Sequence, residues 1–162
     1  MAPIHITVAA IIEHNNQFLM VEERDSNGNT VFNQPAGHVE LNESLTDAVI
    51  REVQEETGLE FSPKNIIGHY LLSPATNGKH YYRTCYTGTV ENINDLQPQD
   101  SDIIACHWLT IEQIKSLGRQ LRSGLVLNCL HDYLRGERYP LSQMHYIDDE
   151  VRAAQMCYNQ LP

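Results

Sequence analysis

The residues best suited to chemistry are the carboxylates concentrated in residues 37–59, GHVELNESLTDAVIREVQEETGL. This stretch contains six acidic residues and one basic residue, Arg51, so it carries half of the chain's formal charge of −10. Oxygen ligands favour hard divalent ions such as Mg²⁺ or Mn²⁺, which keep several waters and bind phosphate oxygens in their open positions. The stretch is therefore a candidate for a divalent-metal site of a kind that binds phosphate groups.

One helix, residues 44–57, is predicted to carry these carboxylates. Polar Asn42 or Glu43 is expected to open the helix, and Gly58 suits the position just after its end. Negative charge is favoured at a helix N-terminus, so Glu43 is interpreted as a capping residue.

Helical periodicity predicts that the carboxylates lie on the inward side of this helix. At about 100° per residue, Glu52, Glu55 and Glu56 share the side that the apolar residues mark. Arg51 lies four residues before Glu55, where it can orient that carboxylate. Clustered carboxylates are relieved either by raised pKa values or by a bound cation. For an E-x-x-E-E run on its own, a solvated helix face is the ordinary alternative.

The complete pattern decides against that alternative. The sequence follows the spacing Gly-x5-Glu-x7-Arg-Glu-Val-x-Glu-Glu-x-Gly-Leu from Gly37 to Leu59, and in this it resembles the signature of the Nudix hydrolase family. The resemblance implies an α/β (α+β) fold, a three-layer α/β/α sandwich around a mixed β-sheet. It also implies hydrolysis of a diphosphate linkage that is joined to another group.

Further segments resemble the NudJ-type phosphatase branch of this family and extend the match to about residue 143. They are residues 5–9, 21–23, 33–38, 100–103, 121–123 and 138–141. The branch is associated with removal of terminal phosphate from nucleoside di- and triphosphates and from pyrimidine diphosphates of thiamine metabolism.

The resemblance also implies roles for individual residues. Glu52, Glu55 and Glu56 are expected to bind the metal together with the backbone carbonyl of Ala36, with Glu52 and Glu56 ranked above Glu55. The general base is expected to be Glu52 or Asp102, and Asp102 is alternatively a loop-capping acid.

Substrate-binding residues are predicted on both sides of the metal loop. Arg83 and Tyr81 share a strand face with Cys85, so Arg83 can grip a phosphate while Tyr81 stacks on a ring. Gln34 and His38 flank the metal loop and are further candidates.

Two other arginines, Arg122 and Arg138, either complete an anion site or remain solvated. Trp108 is expected to lie in the core rather than in the pocket.

Length and composition indicate one globular domain, residues 1–143, followed by a tail, residues 144–162, with the pattern of a short helix. The 162 residues are 41% hydrophobic, which supports one core without disulfides.

The acidic balance excludes bulk nucleic-acid binding, and no segment has the composition of a signal peptide or membrane span. The four cysteines are interpreted as reduced thiols, so the cytoplasm is the expected location. The oligomeric state is not fixed by the sequence.

Alternating apolar patterns and turn residues predict the elements around the acidic helix. Strands are predicted at residues 4–12, 18–21, 31–34, 66–72, 81–90 and 103–109, a helix after Thr110, and another at residues 126–134.

Three functions remain in competition. The leading hypothesis is a Mg²⁺-dependent phosphohydrolase that acts on a small-molecule di- or triphosphate, with Mn²⁺ as the alternative ion, and releases phosphate. A nucleoside diphosphate-sugar or dinucleotide pyrophosphatase would break the internal linkage instead. A catalytically inactive nucleotide-binding module is disfavoured because every acidic residue of the signature is present.

Overall fold

The computed structural model describes residues 3–148. Its strands are Ile4–Ile11 (β1), Glu13–His14 (β2), Gln17–Arg24 (β3), Thr30–Asn33 (β4), Ala36–His38 (β5), Phe61–Leu72 (β6), His80–Val90 (β7), Ile103–Leu109 (β8) and Tyr139–Pro140 (β9). Its α-helices are Leu45–Thr57 (α1), Ile111–Leu117 (α2) and Leu125–Leu134 (α3), and short 3₁₀ helices occupy Gly118–Gln120 and Leu141–Gln143.

The strands form two sheets. The first has the order β5-β1-β7-β6-β9, in which β1 and β7 are parallel and the other neighbours are antiparallel. The second joins β2, β3, β4 and β8, with β8 pairing along β3. The predicted mixed sheet is therefore confirmed.

Helices cover both faces of the first sheet because successive side chains of a strand point to opposite faces. On one face, Val8 packs in a buried cluster with Val49 and Val53 of α1. On the other face, Ala9 packs in a second cluster with Val126 and other residues of α3. Helices packed on mixed sheets confirm the predicted fold class.

The beginning of α1 differs from the prediction. Ser44, rather than Asn42 or Glu43, is the N-cap, and its hydroxyl accepts a hydrogen bond from the backbone N–H of Asp47. A serine oxygen reaches the first-turn N–H groups directly, which explains why it takes this position. Gly58 ends the helix in the left-handed conformation, as predicted.

Short edge strands and strand ends are where the sequence prediction was incomplete. The strand β5, which directly follows Pro35, was not predicted, because it forms only by pairing with β1. The strand predicted from residue 66 begins instead at Phe61, since a bulge near Pro63 lets β6 continue past a residue without an N–H donor. The helix predicted from residue 126 begins one residue earlier, at Leu125.

The remaining structural expectations concern the cysteines and the chain ends. Cys85 and Cys129 are buried free thiols, and Cys106 is a half-buried one. Within residues 3–148, no helix has the length and apolar character needed to cross a membrane. The predicted tail helix and Cys157 lie outside the described residues, and the domain boundary at residue 143 stays a prediction.

Candidate active site

A cleft of about 380 Å³ opens beside the edge strand β5, and residues of both sheets, α1 and the start of α3 line it. The two strongest metal-ligand candidates face this cleft from α1. Glu52 and Glu56 are buried, with 8% and 4% of their surface exposed, whereas the Glu55 side chain is 46% exposed at the rim. The structure thus brings all three predicted carboxylates to one cleft, with Glu52 and Glu56 deepest.

Gly37 allows β5 to lie directly against Glu52. A Cβ atom at position 37 would lie 2.2 Å from the carboxylate atoms of Glu52. No positive φ is involved, so the glycine is required for space rather than for backbone conformation. The close approach fixes the Glu52 carboxylate at the strand edge.

Arg51 connects the acidic residues around it. Its Nη1 donates to Glu52 at 2.9 Å and to Glu55 at 3.0 Å, and its Nη2 donates to Glu43 at 2.7 Å and to the His38 carbonyl at 2.9 Å. Glu43 therefore braces Arg51, since its carboxylate also accepts from Nε. The predicted orientation of Glu55 by Arg51 is present, and Glu43 is not the helix cap.

Glu56 is the most deeply placed acid of the helix. Its carboxylate accepts a hydrogen bond from the backbone N–H of Ala36 at 2.8 Å, which places it beside the residue predicted to supply a carbonyl ligand. Burial raises the pKa of Glu56 well above its usual value, and the charges of Glu23 and Glu52 raise it further. Burial also raises the pKa of Glu52.

Glu23 is an acidic residue of the site that the sequence reasoning missed. It follows buried Leu19 and Val21 at two-residue spacing on β3, next to a register shift whose extra residue, Ile104, lies on β8. Its side chain is only 12% exposed, it faces the same cleft, and burial raises its pKa. The Glu-Glu pair at the end of an apolar strand was the available signal.

The loop before β8 delivers a different aspartate from the one predicted. Backbone N–H groups of Gln99 and Asp100 donate to the Glu55 carbonyl at 2.8 and 3.0 Å, so this loop covers the end of α1. Asp100 lines the cleft as a result. Asp102 is exposed and lies outside the residues that line the cleft. The structure does not bring Asp102 to the carboxylates.

Three rings meet at the mouth of the cleft. Tyr81 lies 5.2 Å from His5 and 6.3 Å from His38 between ring centroids, and His5 lies 5.4 Å from His38. Tyr81 and His38, two of the predicted substrate-binding residues, line the cleft, and His5 was not among the predicted residues. Burial, followed by the nearby His5, lowers the pKa of His38. The group offers an aromatic surface for a flat substrate ring.

Arg83 lies deeper in the cleft than these rings, whereas Gln34 does not line it. The Gln34 side chain is buried and donates to the carbonyl of Val126 at 2.8 Å, so it fixes the start of α3. Arg138 is also distant, with its guanidinium stacked 4.0 Å above the Tyr133 ring. Trp108 packs against the α1-side core, as predicted.

The chemistry of the lining fits a divalent cation. Among the described residues, six acidic and three arginine side chains line the cleft, so the negative charges are in excess where a phosphate would have to enter. The donors are oxygen atoms, which suits hard divalent ions. Within residues 3–148, however, no three acidic, histidine or cysteine side chains already converge as a complete ligand set. Glu52 and Glu55 are instead hydrogen-bonded to Arg51.

Known sequences are similar to this chain over most of its length. The family model described as NUDIX domain matches residues 3–127. The phosphatase NudJ of Escherichia coli strain K12 is 39% identical over 141 residues, which are 86% of this chain and 90% of that protein.

Solved structures show the same fold. A NUDIX hydrolase from Nitrosomonas europaea has a TM-score of 0.86 at 38% identity and covers 91% of this chain and 99% of its own. A bifunctional NMN adenylyltransferase/ADP-ribose pyrophosphatase from Francisella tularensis, complexed with AMP and a manganese ion, has a TM-score of 0.70 at 18% identity. It covers 84% of this chain and 42% of its own, and at this identity it shows similarity of fold alone.

Proposed function

The chain belongs to the Nudix hydrolase family, whose members act on diphosphate linkages, and from that premise we propose a Mg²⁺-dependent phosphohydrolase that releases orthophosphate. The proposed substrates are nucleoside di- and triphosphates or thiamine-related pyrimidine diphosphates. The observation that carries the proposal is the placement of buried Glu52 and Glu56 in one cleft with the buried guanidinium of Arg83. The name of the Escherichia coli relative, a phosphatase, supports orthophosphate as the product.

Nudix hydrolases generally use divalent metal ions, and the acidic lining fits such an ion. We propose that Glu52 and Glu56, with Glu55 and the carbonyl of Ala36, hold Mg²⁺, with Mn²⁺ as a possible substitute. When bound, the ion lowers the pKa of water and neutralises phosphate oxygens. Because Arg51 now bonds Glu52 and Glu55, we expect these two side chains to share or exchange that contact when the ion binds.

The chain's own groups have separate tasks in this proposal. Glu52, fixed by Gly37 and Arg51, accepts the proton of the attacking water, which is the work of a general base. Arg83 neutralises a phosphate of the substrate, and Tyr81 packs against its ring. Asp102 has no task here because it lies outside the cleft lining.

We also propose the size of the substrate and the location of the enzyme in the cell. The substrate is a small molecule, since a cleft of about 380 Å³ holds one ligand and its lining is too acidic for a nucleic-acid backbone. A cytoplasmic location is proposed on the basis of the free thiols Cys85, Cys106 and Cys129.

A product analysis tests the proposed reaction. The protein is incubated with Mg²⁺ and a panel of nucleoside di- and triphosphates, pyrimidine diphosphates, nucleotide sugars and dinucleotides in ¹⁸O-labelled water. We expect labelled orthophosphate from a terminal diphosphate. Release of a nucleoside monophosphate with a phosphorylated partner would favour a pyrophosphatase instead and would refute the proposed specificity.

A further inference from the structure

Arg83 presents unused hydrogen-bonding capacity in the cleft. Its side chain is 93% buried, since only 7% of its surface is exposed, and it lines the cleft. Among the described residues, neither Nε nor Nη1 of Arg83 has a hydrogen-bond partner. Leaving a buried charged donor unpaired costs several kcal/mol in general, so this geometry points to a ligand that supplies the missing acceptors.

A second guanidinium, that of Arg122, also lines the cleft. The backbone of Arg122 is held against β4, because its N–H donates a hydrogen bond to the Phe32 carbonyl at 2.8 Å. Its side chain is 37% exposed, and Nη1 lies 3.7 Å from the Glu23 carboxylate, which is too long for a hydrogen bond. Burial has the larger effect and raises the pKa of Glu23, whereas Arg122 and Arg83 both lower it by their positive charge.

The amino-terminal end of α3 adds to this positive region. Ser123 and Leu125 line the cleft at the start of the ten-residue helix. The N–H groups of Leu125 and Val126 already bond to Ser123, so the helix contributes its dipole rather than free donors. Gln34 holds this helix end in place through the Val126 carbonyl.

The pairing of β1 with β5 and β7 shows the order in which the cleft residues of these strands follow one another. Tyr81 pairs with His5 across β1 and β7, Arg83 pairs with Thr7 two residues further, and Thr7 pairs with His38 of β5. The next row on the same face contains Ala36, whose N–H bonds Glu56. Each step of two residues spans about 6.6 Å, so the Arg83 row lies between the Tyr81 row and the row of Ala36, at whose backbone N–H the Glu56 carboxylate of α1 meets the sheet edge.

We propose that Arg83, Arg122 and Ser123 at the start of α3 form a separate phosphate subsite that holds the phosphate next to the substrate's organic group. The terminal phosphate then lies at the carboxylates, and water attacks there. This inference rests on the proposed function and explains why orthophosphate, rather than a phosphorylated partner, is the expected product.

Glu23 is the counter-ion that this subsite uses when no substrate is bound. Its carboxylate lies beside Arg122, and its Oε1 has no hydrogen-bond partner among the described residues. A phosphate entering the subsite competes with Glu23 for the guanidinium groups. Removing the charge of Glu23 is therefore expected to tighten phosphate binding, the opposite of the effect of removing either arginine.

Calorimetric titration of the full chain with inorganic phosphate in EDTA tests the subsite without requiring turnover. We expect a dissociation constant on the order of 1 mM, because charge-assisted contacts from two guanidinium groups hold one phosphate. Arg122→Gln should weaken binding about tenfold or more, and Glu23→Gln should tighten it. Arg138→Gln is the matched control and should bind as the wild type does, since Arg138 stacks on Tyr133 outside the cleft.

Two results would overturn the subsite: no saturable phosphate binding by the wild type, or equal binding by Arg122→Gln and Arg138→Gln. Arg83→Gln should abolish binding, but its burial makes misfolding a separate cause, so the partly exposed Arg122 carries the test. Phosphate binding that depends on Arg122 without hydrolysis of any substrate would contradict the proposed function alone. Hydrolysis without such binding would contradict the subsite alone.

Discussion

Replacing Gly37 by alanine places a methyl group where the Glu52 carboxylate lies. The new Cβ would be 2.2 Å from the carboxylate atoms, and ordinary contact begins at 3.4 Å, so the carboxylate must move by about 1.2 Å. Misplacing a reacting group by about 1 Å can cost on the order of 100-fold in rate. We therefore expect Gly37→Ala to lower kcat/KM about 100-fold.

The stability of Gly37→Ala should change little. The backbone of Gly37 has no positive φ, and the group that must move is the end of a side chain, so we expect the free energy of unfolding to change by less than about 1 kcal/mol. Chemical denaturation, measured beside steady-state phosphate release, separates loss of activity from loss of fold.

A double-mutant cycle isolates the cause of the lost activity. In Glu52→Ala the clashing atoms are absent, so adding Gly37→Ala should cost no further activity, and the two effects should be strongly non-additive. Additive losses would show that Gly37 acts through something other than Glu52. A Gly37→Ala variant with normal kcat/KM would refute the assigned position of the carboxylate.

Further predictions concern stability. Burial raises the pKa of Glu52 and Glu56, so their contribution to stability without metal is complete below pH 4.5 and is lost as the pH rises through the raised values. The melting temperature in EDTA should therefore fall as the pH rises above 4.5, and a Glu56→Gln variant with an undiminished fall would contradict this. Gly58→Ala should destabilise the fold by about 1–2 kcal/mol or more, because φ is +78° and the new Cβ would meet the Gln97 carbonyl at 2.7 Å. Unchanged denaturation would contradict that close approach.

Helical periodicity was sufficient to place the acidic side of α1. Because the apolar residues fix which side of a helix is inward, the burial of Glu52 and Glu56 followed from spacing alone. The exposed position of Glu55 at the rim agrees with its lower rank as a ligand.

Contacts of loops and strand edges could not be predicted from periodicity. Asp100 and Asp102 are two residues apart, and long-range hydrogen bonds from the loop to the Glu55 carbonyl hold Asp100 at the cleft. Glu23 lies at two-residue spacing from buried Leu19 and Val21, so it shares their side of β3. Phe18 and Met20 on the opposite side are also buried, so the pattern did not single out which side holds the cleft. Gln34 faces α3 rather than the substrate because the packing of that helix is a long-range contact.

Orthophosphate release by wild type, Glu56→Gln and Glu60→Gln with Mg²⁺ tests most directly whether the buried carboxylates of α1 hold the ion that supports hydrolysis. Glu60 is an exposed carboxylate just beyond the helix and outside the cleft lining, so it is a matched control. We predict that Glu56→Gln loses at least about 100-fold in rate with its fold intact, while Glu60→Gln remains active. Near-normal Mg²⁺-dependent turnover by a folded Glu56→Gln variant would contradict the account.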